Sequence, residues 1–285
     1  MSLVVTGATG HLGHLVVEHL LARGTDPASI VATGRRTEAL ADLAAQGVRT
    51  ATVDFADPST LDAALEAGDT VLLVSSSEVG QRVAQHANVI DAAKRAGVAR
   101  IVYTSASKAD TSPLILAPEH KATEELLRAS GVPFTILRNG WYTENYGQAV
   151  DQAKATGSFV GSVGDGRVSS ASRTDYAEAA AVVLTTDGHE GAVYELSGDV
   201  AWTQPELAQA IGELIGREVT YQDLSPEDHS KALLAAGLDE GTVGFVVALD
   251  GNTRDGLLGD TSGDLSRLIG RPTTPLVEGL RPLVG

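Results

Sequence analysis

A stretch suited to cradling phosphate stands near the start of the chain: Thr6-Gly7-Ala8-Thr9-Gly10-His11-Leu12-Gly13. It follows the apolar Leu3-Val4-Val5 and opens a segment of helical period at Leu12, Leu15, Val16, His19 and Leu20. A glycine turn between a buried strand and a helix is the context in which such spacing binds a dinucleotide. Gly7 lets the strand turn sharply, Gly10 lets the backbone approach a pyrophosphate, and Gly13 lets the helix close on the sheet. The phosphates then meet free N–H groups at the helix N-terminus, where the dipole also favours an anion. Thr6, Thr9, His11 and Leu12 complete the candidate cradle. The spacing is G-x-x-G-x-x-G rather than G-x-G-x-x-G, and a purely structural turn is the competing reading.

The next apolar run, Ser29 to Thr33, ends in Gly34-Arg35-Arg36. An NAD site places Asp or Glu there to bond the ribose 2′-OH. Two arginines stand there instead, and a guanidinium fork matches a 2′-phosphate. The expected cofactor is NADP(H), with Arg35 on the phosphate; a solvated basic pair is the alternative. Asp54 and Phe55 close the third strand and are candidate contacts for the adenine, although Asp54 also reads as a plain strand-end carboxylate. Ser75, Ser76 and Ser77 leave the fourth strand and are small enough to admit the cofactor's ribose and phosphates.

The fifth strand ends in Tyr103-Thr104-Ser105. A serine there polarises a substrate carbonyl when the following helix carries Tyr-x-x-x-Lys, the tyrosine acting as general acid and the lysine lowering its pKa. That pair is absent: none of Tyr103, Tyr142, Tyr146, Tyr176, Tyr194 or Tyr221 has Lys four residues on. Lys121 holds the lysine's place and is a candidate catalytic residue, but Ala117 stands where the tyrosine should be. Alcohol dehydrogenation without its proton donor forfeits ~10²–10⁴-fold in rate. A quinone escapes that requirement, because hydride addition leaves a stabilised hydroquinone anion that water protonates. Thr104 and Ser105 remain candidate cofactor contacts. His86 and His120 read as helix-surface residues rather than acids.

The sixth strand runs into Arg138-Asn139-Gly140-Trp141-Tyr142-Thr143-Glu144-Asn145-Tyr146. Three aromatic side chains gather here in a chain that is 4% aromatic, so the cluster is not a product of composition. The segment leaves a strand at its carboxyl end, where ligands bind in open α/β sheets. Asn139 and Gly140 are candidate cofactor contacts. Trp141, Tyr142, Asn145 and Tyr146 are candidate substrate residues, since flat walls suit a flat acceptor. Tyr142 reads as a stacking wall or as a substitute acid. Packing at a domain junction is the alternative for Trp141 and Tyr146.

These residues need a scaffold, and the pattern supplies one. Strands at about 2–6, 30–34, 49–53, 70–75, 100–104 and 134–138 alternate with helical patterns at Thr37 to Gln46, Pro58 to Glu66, Gln81 to Ala96 and Glu119 to Ser130. Such alternation means parallel strands with crossover helices. The fold class is α/β: a Rossmann-type doubly wound parallel sheet over residues 1–140, with a smaller C-terminal α/β capping lobe over 141–285. Within that lobe, residues 173–186 return to the first domain as a helix, and 157–172 read as a hairpin or irregular strands. A strand at Val193 to Leu196, a helix at Gln204 to Ile215 and a strand at Glu218 to Gln222 follow.

The chain of 285 residues has no cysteine and a formal charge of −16. The first fact removes disulfides, thiol nucleophiles and thiolate metal sites, and no metal is expected. The second argues against nucleic acid or an anionic membrane as partner. No apolar run of membrane-spanning length occurs. A cytoplasmic protein is expected, and a homodimer is left open.

The chain resembles the NmrA-like branch of atypical short-chain dehydrogenases, and within it the bacterial type 2 NAD(P)H:quinone oxidoreductases. The matching stretches are Thr6-Gly7-Ala8-Thr9-Gly10, Val74 to Arg82, Ala109 to Leu114, Leu137 to Tyr142, Glu144-Asn145-Tyr146, His189-Glu190-Gly191 and Leu268 to Thr274. The resemblance implies NADPH at the glycine turn and at an arginine after the second strand, here Arg35. It also implies quinone reduction without a tyrosine–lysine pair. Neighbouring branches reduce triphenylmethane dyes or sense nucleotides without turnover, so a non-catalytic NADP(H) sensor stays as the second reading. Lys121 departs from the family pattern, which requires no lysine there.

Overall fold

The computed structural model describes residues 1–285. β1 (Leu3–Val5) passes through the glycine turn into α1 (His11–Ala22). In alternation follow β2 (Ile30–Gly34), α2 (Ala41–Ala45), β3 (Arg49–Thr52), α3 (Pro58–Ala64), β4 (Thr70–Leu73), α4 (Arg82–Ala96), β5 (Arg100–Ala106), α5 (Ala117–Ser130) and β6 (Phe134–Asn139). The local chemistry explains the boundaries. Asp57 caps α3 by accepting from the Ser59 N–H, and α4 and α5 end at Gly97 and Gly131 in left-handed conformation, φ 73° and 77°. Strand β5 is buried nearly throughout, as expected of a strand covered on both faces.

The chain continues through α6 (Gly147–Thr156), β7 (Ser158–Gly161), β8 (Arg167–Val168), α7 (Arg173–Thr185), β9 (Val193–Leu196), β10 (Trp202–Thr203), α8 (Gln204–Ile215) and β11 (Thr220–Asp223). Four helices close it: α9 (Pro226–Ala235), α10 (Glu240–Arg254), α11 (Asp264–Ile269) and α12 (Leu276–Val284). The main sheet has the order β3-β2-β1-β4-β5-β6-β9 and every pair in it is parallel. Strand order reverses between β1 and β4, where Leu3 pairs with Ile30 on one side and Thr70 on the other. A crevice must open above that point, because the crossovers leave it in opposite directions.

Apolar side chains cover both faces of the sheet. Val16, Val17 and Leu20 of α1 pack with Tyr176, Ala180 and Val183 of α7 on one face, and Val89, Ile90 and Leu127 pack with Tyr103 on the other. A third core, around Phe159, Trp202, Leu207, Ile211 and Leu280, holds the lobe. The chain returns to the sheet further than 173–186: Val193–Leu196, expected within the lobe, is the edge strand beside β6.

Of the two readings of 157–172, hairpin or irregular strands, the structure has the second. β7 pairs in parallel with β11, and β8 pairs antiparallel with β10. The intervening loop is docked elsewhere: Gly166 lies so close to the Thr253 backbone of α10 that a Cβ has no room. Anchored there, the two arms diverge to separate partners. No helix is long and apolar enough to cross a membrane.

Candidate active site

A crevice of 530 Å³ lies over the β1–β4 reversal. Its floor is the glycine turn. Gly7 has φ 62°, in the region that favours glycine. A Cβ on Gly13 would stand 2.5 Å from the Gly7 carbonyl oxygen, so α1 can approach the turn only without one. At Gly10 a Cβ would meet only that same oxygen at 3.4 Å, and the remaining space opens into the crevice. Helix α1 starts with no side-chain cap and no acid in its first turn. The N–H groups of His11, Leu12 and Gly13 have no protein acceptor and face an opening. That is the arrangement an anion completes.

Thr9, Gly10, His11, Leu12, Arg35, Asp54, Phe55, Ser75, Ser76 and Ser77 all line this crevice, from the ends of β1, β2, β3 and β4. Thr6 is buried beneath it. Its hydroxyl donates to Leu72 O (2.9 Å) and accepts from Val74 N–H (3.1 Å), tying β1 to β4. Arg35 pairs with Glu78 at 2.9 Å, and both are exposed, at 67% and 41%. The second Glu78 oxygen accepts from Gln85 Nε2 at 2.7 Å. The loop after β4 is held from below. The Ser76 hydroxyl donates to Gln85 Oε1 (2.5 Å), its N–H donates to His86 Nε2 (2.9 Å), and its carbonyl accepts from Arg82 Nε (2.7 Å). Arg82 is fixed in turn by Glu119 at 2.8 Å.

His86 and His120 are buried, not on the surface. His86 shares the inner face of α4 with Val89 and Ile90, three and four residues on, and that spacing was the available signal. Its Nε2 accepts from Ser76, so the proton sits on Nδ1, which donates to Thr123 Oγ1 at 3.0 Å. The Thr123 hydroxyl donates onward to Glu119 O at 2.9 Å. Burial, then the neighbouring His120 and Arg82, hold the His86 pKa down to about 3. Burial and Arg82 do the same for His120, which shares a 2.8 Å hydrogen bond with the Tyr103 hydroxyl. Both therefore work as neutral props under the crevice floor.

Several expected residues stand elsewhere. Lys121 is exposed on α5 and does not line the crevice, because that helix turns Ala117, His120 and Glu124 inward instead. Thr104 accepts from the Ser75 N–H at 2.9 Å, and the Ser105 hydroxyl donates to Glu124 at 2.7 Å, so both support the rim from behind. Gly140 lies against Leu196 O and lines a separate cavity of 240 Å³. Asn139 donates from Nδ2 to the Tyr142 hydroxyl at 3.3 Å, and its Oδ1 is the one sealed side-chain polar atom without a partner.

Of the four candidate substrate residues, Tyr142 alone faces the crevice. Trp141, Asn145 and Tyr146 line a second cavity, of 160 Å³, inside the lobe. The segment is extended and bridged to Ala171, with Ala171 N–H on Trp141 O and Thr143 N–H on Ala171 O. Successive side chains of extended backbone point to opposite sides. Arg173, unforeseen from sequence, lines the crevice with its guanidinium 4.8 Å from the Tyr142 ring centre, and it also donates to Asn145 Oδ1 at 2.9 Å. Burial raises the Tyr142 pKa, against smaller opposing effects of Asn139 and Arg173. Its phenol is therefore protonated at neutral pH.

A model of an NAD(P)H-binding family matches residues 7–187 of the chain. Quinone oxidoreductase 2 of Escherichia coli strain K12 is 50% identical over 282 residues, spanning 99% of this chain and 98% of that protein. The crystal structure of the NADPH-dependent quinone oxidoreductase of E. coli complexed with NADPH superposes with a TM-score of 0.93 at 49% identity, over 99% of this chain and 100% of that one. The Citrobacter sp. triphenylmethane reductase complexed with NADP(H) gives a TM-score of 0.93 at 37% identity, with the same coverage of both chains.

Proposed function

We propose, from the premise that this chain belongs to the NAD(P)H-binding family and to its NmrA-like quinone-reductase branch, that it is an NADPH-dependent oxidoreductase passing hydride to quinone-type acceptors. The observation that carries the reading is the pairing of an uncapped α1 N-terminus with Arg35, and no carboxylate, at the end of β2. The N–H groups of His11, Leu12 and Gly13 would hold the pyrophosphate, Arg35 the 2′-phosphate, Asp54 and Phe55 the adenine end, and Ser75 to Ser77 the second ribose. When bound, NADPH supplies the hydride.

The protein's own part is positioning. Tyr142, under the Arg173 guanidinium, offers an aromatic wall at the end opposite Asp54 and Phe55. No tyrosine–lysine pair stands by to deliver a proton, and the acceptor must tolerate that. A hydroquinone anion does, since water reaches this open crevice. Conjugated dyes form a second acceptor class, favoured by the likeness to the triphenylmethane reductase. A cytoplasmic location, where reduced nicotinamide cofactor is supplied, belongs to the same reading. Oxidation of NADPH by 1,4-benzoquinone, followed at the nicotinamide absorbance, tests the proposal. Tight NADPH binding with no oxidation by any quinone or dye in a panel would overturn it in favour of a sensor.

A further inference from the structure

We infer that the lobe cavity is a binding site for phenol-type molecules, and that His229 Nε2 is the atom that recognises their hydroxyl. The cavity is enclosed by α6, β7, α9 and α10, and its walls include Trp141, Tyr146, Phe159, Leu233 and Leu249. Beside the polar side chains of Gln148, Gln152 and Gln204 stands a histidine–carboxylate–serine network. The His229 side chain is only 4% exposed, and its Nδ1 stands 3.1 Å from Asp250 Oδ2 and 3.2 Å from the Ser162 hydroxyl. Asp250 Oδ2 also receives the Ser162 N–H at 2.7 Å and the Ser162 O–H at 3.0 Å.

This network fixes the imidazole's tautomer. Both Ser162 hydrogens go to Asp250, so the Ser162 oxygen can only accept from the ring. An ionised carboxylate is likewise an acceptor only. In the neutral ring the proton therefore sits on Nδ1, and Nε2 carries a lone pair, as in other carboxylate-oriented histidines. No protein group bonds Nε2. It is not a sealed orphan either, since Asn139 Oδ1 is the only such atom, so this edge of the ring is open to the cavity.

The ligand class follows from these atoms. A lone pair with no protein partner selects an O–H or N–H donor, because an unpaired polar group is unfavourable away from water, and the amides of Gln148, Gln152 and Gln204 in the same lining leave room for a ligand with a polar group. The Asp250 charge behind the ring disfavours anions. Aromatic walls favour a flat ring, and an apolar cavity of about 150 Å³ holds a benzene-sized molecule, close to the 160 Å³ found here. A phenol meets every condition, whereas a quinone lacks the donor. The phenol has two sources: the hydroquinone left by reduction of an acceptor, or an unrelated phenolic effector.

Calorimetric titration of the full-length protein at pH 8.5 with phenol and toluene tests the inference. Wild type should bind phenol about fivefold more tightly than toluene, the yield of one net hydrogen bond. His229→Phe keeps an aromatic ring in place and should abolish the preference while still binding toluene. Asp250→Asn should weaken the preference by freeing the tautomer. NADPH affinity, read from nicotinamide fluorescence, should stay unchanged in both variants. Equal affinity for phenol and toluene in wild type, a preference that survives His229→Phe, or displacement of phenol by NADPH would each overturn the assignment. Hydroquinone binding as phenol does supports the first source; exclusion of hydroquinone with phenol still bound supports the second. None of these readouts depends on turnover, so NADPH oxidation by benzoquinone stands or falls separately.

Discussion

Replacing Arg35 with alanine should weaken NADPH and leave NADH nearly untouched. A hydrogen bond to a charged group contributes about 1.5–3 kcal/mol. Two features of the structure push the expectation to the low end. Arg35 is 67% exposed, so solvent screens its contact, and before it meets a phosphate it must leave Glu78, which it already holds at 2.9 Å. An exposed ion pair of that kind contributes about 0.2–1 kcal/mol. The net loss on Arg35→Ala is then about 0.5–1.3 kcal/mol, or roughly two- to ninefold in the NADPH dissociation constant. Glu78→Gln works in the opposite direction. It frees Arg35 and removes a negative charge facing the phosphate, so NADPH should bind roughly two- to fivefold more tightly, in keeping with the strength of an exposed pair. Fluorescence titration of each variant with NADPH and NADH at two salt concentrations measures both effects. Equal weakening of the two nucleotides by Arg35→Ala, or weaker NADPH binding in Glu78→Gln, would refute the 2′-phosphate assignment.

Gly10→Val should fold with a melting temperature near wild type yet fail to bind NADPH, because its side chain grows into the crevice; normal affinity in the folded variant would remove the dinucleotide site from this turn. Tyr142→Phe should keep most activity and Tyr142→Ala should raise KM for the quinone with NADPH affinity intact; a loss of ~10²-fold in kcat on Tyr142→Phe would make Tyr142 an acid instead. His86 and His120 titrate near 3 in the fold and near 6.5 when unfolded. Falling pH therefore protonates the unfolded chain first. The stability these residues contribute is complete above about pH 6.5 and is lost toward pH 3, by up to ~1.4 kcal/mol per pH unit for each. Melting curves from pH 7 to pH 4.5 should be steeper for wild type than for His120→Gln, and parallel curves would sink the argument.

The cofactor half of this protein is legible in its residues because each role there is local. The glycine turn, the strand-end arginine and the serines after β4 act where they stand in sequence, and all of them line one crevice. The acceptor side is less legible because its geometry depends on partners far along the chain. Ala171 sets the direction of Trp141 and Tyr142, and Arg173 arrives from α7. Glu78 and Gln85 escaped notice because nothing in their spacing distinguishes a crevice residue from a solvated one. The undecided choice between hairpin and irregular strands over 157–172 has the same origin: the close approach of Gly166 to α10 cannot be read from the glycine itself. His86 was readable in principle, but a polar residue on an apolar helix face is easily assigned to the wrong side.

The opposite headings of Trp141 and Tyr142 make one peptide the partition between two compartments, the crevice and the lobe cavity. The residues that line the crevice lie, apart from Tyr142 and Arg173, before residue 86, and the lobe cavity is walled by residues between 141 and 253. Substitutions in one compartment can accumulate without disturbing the other, with Tyr142 and Arg173 as the hinge of constraint between them. A laboratory search for new lobe ligands should therefore randomise the cavity walls and leave the glycine turn alone.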